Sequence, residues 1–106
     1  MKIICVGRNY VNHIIELENE FPKNPLIFFK NSECLSNIKL FSMPQFSNNI
    51  HHEVELVFRI CKSGKNIKVN DTKEYISHIA LGIDFTARDI QNEYKAKGHP
   101  WSFSKN

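Results

Sequence analysis

Glu53 and Glu55 sit two apart at the head of the apolar run IHHEVELVFRI, residues 50–60. If that run is a strand, alternation puts His51, Glu53 and Glu55 on one face and Val54, Leu56, Phe58 and Ile60 on the other. Two residues advance a strand by roughly 7 Å, which lets two carboxylates converge on one hard cation. Asp84 would supply a third. It closes the apolar run IALGID, residues 79–84, just ahead of a helical pattern. Three carboxylates with His51 nearby and no cysteine among them suit Mg²⁺ or Mn²⁺ better than zinc. Read alone, E-x-E is equally at home on a strand face of ordinary solvated charges.

His13 and Glu16 form a second pairing, three apart, so that on a helix the carboxylate can hold the imidazole in its proton-accepting role. By spacing alone it is also a plain surface pair. Arg88 and Gln91 are again three apart, directly after Asp84, where they could orient an anionic substrate. The plainer alternative is a helix face bonded to its neighbours. Lys105, in WSFSK, and Lys30, closing PLIFFK, are lone cations by themselves, and Lys30 reads equally as a strand-end charge reaching solvent.

Positioning these groups requires a particular set of elements. KIICVG (2–7) reads as a buried strand ended by Gly, and the spacing of Tyr10, Ile14 and Leu17 predicts a helix from about Tyr10 to Asn19. PKNP breaks it, and PLIFFKNS is a second strand. KLFSMPQFSNN is an irregular edge segment. HHEVELVFRICKSGKN is a long strand closed by a Ser63–Gly64 turn. NDTKEY opens with a helical turn, and Ile76 to Asp84 is a further strand. TARDIQNEYKAKGHPW is a helix with Thr86 as N-cap and Asp89 three residues on, ended by Lys95, Lys97 and Gly98. This order predicts an α+β, β-dominated domain with two short helices.

The 106 residues allow one modest domain, and 42% apolar with 11% aromatic residues argue against global disorder. A net charge of +3 with scattered lysines argues against nucleic acid as a partner, which wants a concentrated basic face. Cys5, Cys34 and Cys61 are odd in number and far apart, so neither a disulfide framework nor a thiolate zinc site is expected. The start, MKIICVGRNY, is too short in apolar residues for a signal peptide, and nothing approaches a membrane span. A cytoplasmic setting is the expectation.

Taken together, CVGRNYVNHIIE, LIFFKNS, HHEVEL, GIDFTARDIQ and GHPWSFSK occur in the order and spacing of the fumarylacetoacetate hydrolase family. They most resemble its acylpyruvase-like branch, over essentially the whole chain. The resemblance implies that Glu53, Glu55 and Asp84 are metal ligands, usually for Mg²⁺ or Mn²⁺. It implies that His13 and Glu16 are a catalytic dyad and Lys105 an active-site lysine. Arg88 and Gln91 match positions that shape the substrate pocket, and Lys30 matches the lysine of an F-x-K-P stretch in which Asn31 here replaces the proline. The implied fold is part of a mixed β-roll. The implied activity is metal-dependent hydrolytic cleavage of a carbon–carbon bond in small 2,4-dioxo acids, with oxaloacetate decarboxylation or oxo-acid isomerisation as related chemistry. Members of the family are longer, so residues 1–106 are expected to be a single incomplete catalytic domain, the N-terminal half of the family fold. It would be a homodimer at full length, or be completed by a C-terminal half. A non-catalytic metal-binding remnant is the alternative.

Overall fold

The computed structural model describes residues 1–16, 22–37 and 39–105, with His13 described by its backbone alone. The elements in chain order are β1 (Ile3–Gly7), α1 (Val11–Glu16), β2 (Leu26–Lys30), β3 (Ile50–Ile60), β4 (Ile76–Ala87) and α2 (Arg88–Ala96). Short 3-10 turns cover Ser32–Cys34, Val69–Tyr75 and Trp101–Lys105. The expected helix after Tyr10 is present through Glu16, and its expected continuation over residues 17–19 lies outside the described residues.

Two antiparallel two-stranded sheets result, β1 with β2 and β3 with β4. In the first, Ile3 faces Lys30 and Cys5 faces Phe28. In the second, Glu53 faces Asp84, Val54 faces Ile83 and Leu56 faces Leu81. Alternation therefore sorts this sheet as its sequence directs. His51, Glu53, Glu55, Gly82, Asp84 and Thr86 share one face; Val54, Leu56, Phe58, Ile79, Leu81 and Ile83 share the other. Near residue 60 the register shifts, and the connection to β4 is long.

Two expectations about chain reversals are corrected. Ser63–Gly64 does not form a tight turn; the chain bends at Lys62 and again at Lys65–Asn66, where Asn66 carries the positive φ of 56°. Gly64 serves close packing instead, since a Cβ there would lie 2.6 Å from Ile67 Cδ1 and 2.7 Å from Tyr75 Cε1. Thr86 is not the cap of α2. The strand continues through Ala87, whose side chain cannot cap, because Thr86 and Ala87 are still paired with His51 and Ile50. The other end of α2 is as expected. Gly98 adopts φ +67°, with His99 N–H donating to Tyr94 O at 2.8 Å and Gly98 N–H to Lys95 O at 3.1 Å, a Schellman close.

The interior is unusual in composition. Among the described residues the buried apolar side chains are Ile14 and Ala87, whereas Ser47, Thr86, Arg88, Gln91, Ser104 and Lys105 are buried polar ones. Meanwhile Leu56, Ile79 and Leu81 are 62%, 65% and 75% exposed, so the apolar face of β3–β4 is largely bare. Phe41, stacked on Phe85 at 3.8 Å, covers one end of it. The radius of gyration of 15.4 Å exceeds the about 13 Å of a compact domain this long. What this chain buries well is the polar cluster.

Candidate functional site

The acidic face of β3–β4 is where that cluster forms. Glu53 and Asp84 are cross-strand neighbours, and Glu55 lies opposite Gly82. A Cβ on Gly82 would come within 2.8 Å of Val57 Cγ2, so glycine keeps room for Val57 to lean across the sheet beside Glu55. The pleat alone puts the three carboxylates on one face of the strand pair.

Three cations answer them from three other elements. Lys105, 5% exposed at the end of the Trp101–Lys105 turn, donates to Glu53 Oε2 and to Asp84 Oδ2, each at 2.7 Å. Lys30, from the end of β2, donates to Asp84 Oδ1 at 2.7 Å. Arg88, in the first turn of α2, donates through Nη2 to Glu53 Oε1 at 2.5 Å and through Nη1 to Gln91 Oε1 at 2.7 Å. The inner side of β1–β2 closes over the same place: Phe28 meets Trp101 edge-on at 5.2 Å and lies 5.5 Å beneath the Lys105 ammonium. Cys5 belongs to this wall. Burial pushes its thiol pKa up, and the charges of Asp84, Lys30, Lys105 and Glu55 all reach it.

The electrostatics separate the two glutamates. Burial alone would raise the Glu53 carboxyl, but hydrogen bonds and charge from Lys105 and Arg88 outweigh it and hold it below the usual range. Glu55 goes the other way, raised by burial and then by the negative charges of Glu53 and Asp84, with Lys105 opposing weakly. Glu55 is thus the underneutralised member of the set. Among the described residues, no three His, Cys, Asp or Glu side chains are gathered in metal-holding geometry; the lysines and Arg88 take the oxygens of Glu53 and Asp84.

Of the other expected residues, Gln91 is 3% exposed and shares its amide oxygen between Arg88 and Lys95. His51 lies on the acidic face opposite Thr86, and no hydrogen bond joins it to the three carboxylates. Thr86 is fully buried, and among the described residues neither its Oγ1 nor Nε of Arg88 has a hydrogen-bond partner. His13 and Glu16 lie on α1 three residues apart, and the His13 side chain is outside the described residues. Lys30 does not reach solvent as a strand-end charge; its side chain is 14% exposed on Asp84. Asn31, in place of proline, caps the Ser32–Cys34 turn by accepting from Glu33 N–H at 3.3 Å.

Three residues that the sequence places only within helices make contacts beyond those helices that local spacing does not point to. Asp89 reaches across to the segment before β3, accepting from Ser47 Oγ at 2.6 Å and Asn48 N–H at 3.0 Å, while Arg88 N–H donates to Asn49 O at 2.8 Å. The Tyr10 hydroxyl donates to the Val54 carbonyl and ties the start of α1 to β3. Lys95 sits above Trp101, 5.8 Å from its ring centre. The seven-residue interval from Arg88 to Lys95, two helical turns, was the signal that could have found it.

A polar cluster of three carboxylates and three cations, built on an antiparallel strand pair and closed by a second pair and a helix, defines the class. The chain belongs to the fumarylacetoacetate hydrolase family: the family profile described as "Fumarylacetoacetate (FAA) hydrolase C-terminal" matches residues 2–106. Among curated relatives, "Oxaloacetate decarboxylase, mitochondrial" of Dictyostelium discoideum is 43% identical over 106 residues, 98% of this chain and 49% of that protein. "Oxaloacetate tautomerase FAHD1, mitochondrial" of Homo sapiens is 36% identical over 104 residues, covering 97% and 47%. Among solved structures, one from Oleispira antarctica matches with a TM-score of 0.92 at 40% identity, over 99% of this chain and 47% of that one. The fumarylpyruvate hydrolase of Pseudomonas aeruginosa, solved in complex with Mn²⁺ and pyruvate, matches with a TM-score of 0.89 at 32% identity, covering 99% and 48%. The chain spans about half the length of the relatives it matches. No described helix is long and apolar enough to cross a membrane.

Proposed function

We propose that this chain carries the metal face of a Mg²⁺- or Mn²⁺-dependent enzyme of small 2-oxo acids bearing a second carbonyl. The reaction is hydrolytic carbon–carbon cleavage of 2,4-dioxo acids of the acylpyruvate kind. The observation that supports this most is the Glu53–Asp84 cross-strand pair, with Glu55 on the same face and cations crowded against it. An all-oxygen donor set, one member of which is only weakly neutralised, fits a hard divalent cation. Bound at Glu53, Glu55 and Asp84, such an ion would supply Lewis-acid stabilisation of a 2-oxo enolate. It would compete with Lys30, Lys105 and Arg88 for those oxygens.

The chain's own residues divide the remaining work. Arg88 and Gln91 orient the substrate's anionic end from α2. Lys105, buried, brings positive charge to the oxygen on which the enolate charge develops. His13, held by Glu16, takes a proton from the water that attacks the distal acyl carbonyl. The carbon–carbon bond then breaks, giving a carboxylic acid and pyruvate enolate, which is protonated to pyruvate. The names of the curated relatives favour a second use of the same enolate-stabilising face, decarboxylation or keto–enol tautomerisation of oxaloacetate, which needs no hydrolytic water. The partner in this reading is a polypeptide equivalent to the other half of the relatives, or a second copy of the chain, and the setting is cytoplasmic.

The test is Mn²⁺ calorimetry and acetylpyruvate hydrolysis in the folded assembly, either the chain alone or the chain joined by a homologous C-terminal half. Glu53→Gln and Asp84→Asn should weaken Mn²⁺ binding. His13→Ala should abolish hydrolysis while Mn²⁺ binding and oxaloacetate decarboxylation persist. Unchanged Mn²⁺ affinity in both carboxylate variants would sink the ligand assignment, and hydrolysis at the unmodified rate in His13→Ala would place the base elsewhere.

A further inference from the structure

Each cation of the cluster has a carboxylate, with one exception. Lys105 and Lys30 lie on Glu53 and Asp84, and Arg88 on Glu53. Lys95 points into the same neighbourhood from one turn beyond Gln91, yet its sole hydrogen-bond acceptor among the described residues is the neutral Gln91 Oε1, at 3.1 Å. Although Lys95 is exposed as a whole residue, its ammonium end is partly covered, against that amide and the Trp101 ring. The nearest acidic residue along the helix does not serve it, because Glu93 is engaged by Lys97 at 2.6 Å. Burial first, and then the charges of Arg88, Arg8 and Lys105, depress the Lys95 pKa, with Glu53 opposing weakly. Arg8 is the remaining cation whose charge reaches Lys95. It follows β1 with φ +54° and makes no hydrogen bond or ion pair among the described residues.

A partly dehydrated ammonium, crowded by like charges and offered a neutral acceptor, is poorly stabilised where it stands. Its position makes sense if an anion from outside the chain completes it. Arg88, Gln91 and Lys95 lie on one side of α2, and Gln91 Oε1 receives hydrogen bonds from both cations, so the unfilled charge directly adjoins the place where the substrate's anionic end is read. We propose that Lys95, with Arg8, forms an anion subsite for the second carboxylate of a dicarboxylic 2-oxo acid. This rests on the reading of the site as one for 2-oxo acids, and it narrows the substrate class. Diacids are selected over acylpyruvates with an apolar acyl group, whose distal end would leave Lys95 unanswered.

Trp101 is the sole tryptophan and lies beneath Lys95, so its emission reports on this subsite without turnover. The experiment is titration of the Mn²⁺-loaded protein with oxaloacetate and with pyruvate, which lacks the second carboxylate. Oxaloacetate should lose about tenfold or more in affinity in Lys95→Gln, the scale of one charge-assisted hydrogen bond, while pyruvate binding is unchanged. Lys95→Arg should keep the preference for oxaloacetate. Arg8→Gln, at an exposed position, should reduce it in the same direction and guards against misfolding of the first variant. Equal losses for both ligands, or no loss for either, would overturn the subsite while leaving the 2-oxo acid reading intact. Failure of the unmodified protein to bind either ligand would overturn both.

Discussion

Replacing Lys105 by methionine separates the two things that the lysine does. Its ammonium bridges Glu53 and Asp84 at 2.7 Å each, with side-chain exposures of 5%, 22% and 10% for the three residues. Removing one partner of a buried charge pair typically costs about 3–5 kcal/mol, because the other charge is left buried. Lys30 remains on Asp84 and Arg88 on Glu53, so the lower end of that range, about 3 kcal/mol, is the expectation without metal. For a divalent ion the sign reverses. A unit positive charge about 4 Å from a dication repels it by about 2 kcal/mol even at the dielectric constant of water, and by more in a partly dry site. Lys105→Met should therefore bind Mn²⁺ more than about tenfold tighter while being less stable in its absence. Urea unfolding with and without Mn²⁺, together with calorimetry, measures both. A variant that is destabilised but binds Mn²⁺ no better, or more weakly, would refute the idea that lysine and metal compete for these oxygens.

Two further outcomes follow from contacts elsewhere. The hydrogen bond from Ser47, then that from Asn48, holds the Asp89 carboxyl below its ordinary range. Its contribution to stability is therefore complete above the usual aspartate value and is lost as pH falls through the lower folded value. Asp89→Asn should remove that part of the acid dependence of the melting temperature and speed amide exchange at Asn48; an unaltered pH profile would show the clasp to be idle. The bare face of Val54, Leu56, Phe58, Ile79, Leu81 and Ile83 should bind a hydrophobic dye or drive self-association of the chain alone. The cross-strand pair change Leu56→Lys with Leu81→Glu should suppress this without unpairing the strands, and sedimentation of the unmodified chain as a dye-silent monomer would contradict it.

The strands, and the faces they present, were legible because alternation in IHHEVELVFRI is a local property that survives into the structure. Thr86 shows where local reasoning failed. Its cap signal was sound by type, but pairing with His51 kept it in the sheet, and tertiary context won. Asp89 was read three residues after that cap, whereas its partners Ser47 and Asn48 lie far back in the chain, where no local spacing points. The acidic face could be named from sequence; the cations that answer it could not be placed there by the residues alone. Lys30 looked as much like a solvent-facing strand end as a partner of Asp84. Lys95 reads from sequence as a charge ending a helix, because its lack of a carboxylate becomes visible only once Lys30, Arg88 and Lys105 have been matched to theirs.

The Glu53–Asp84 pairing has a consequence for how the chain finds its alignment. The link between β3 and β4 is long and irregular, so it imposes little register of its own, unlike a tight two-residue turn. A slip of one residue would turn Glu53 and Glu55 to the side of Ile83 and Leu81, away from Asp84. Only the correct alignment lets one cation touch carboxylates from both strands, and Lys105, made after both, does so. The bridge from Lys105 to Glu53 and Asp84 is therefore compatible with the native alignment and is lost in a one-residue slip. Register and charge cluster are thus one feature: the contact that neutralises Glu53 and Asp84 also stabilises the alignment that sets them side by side.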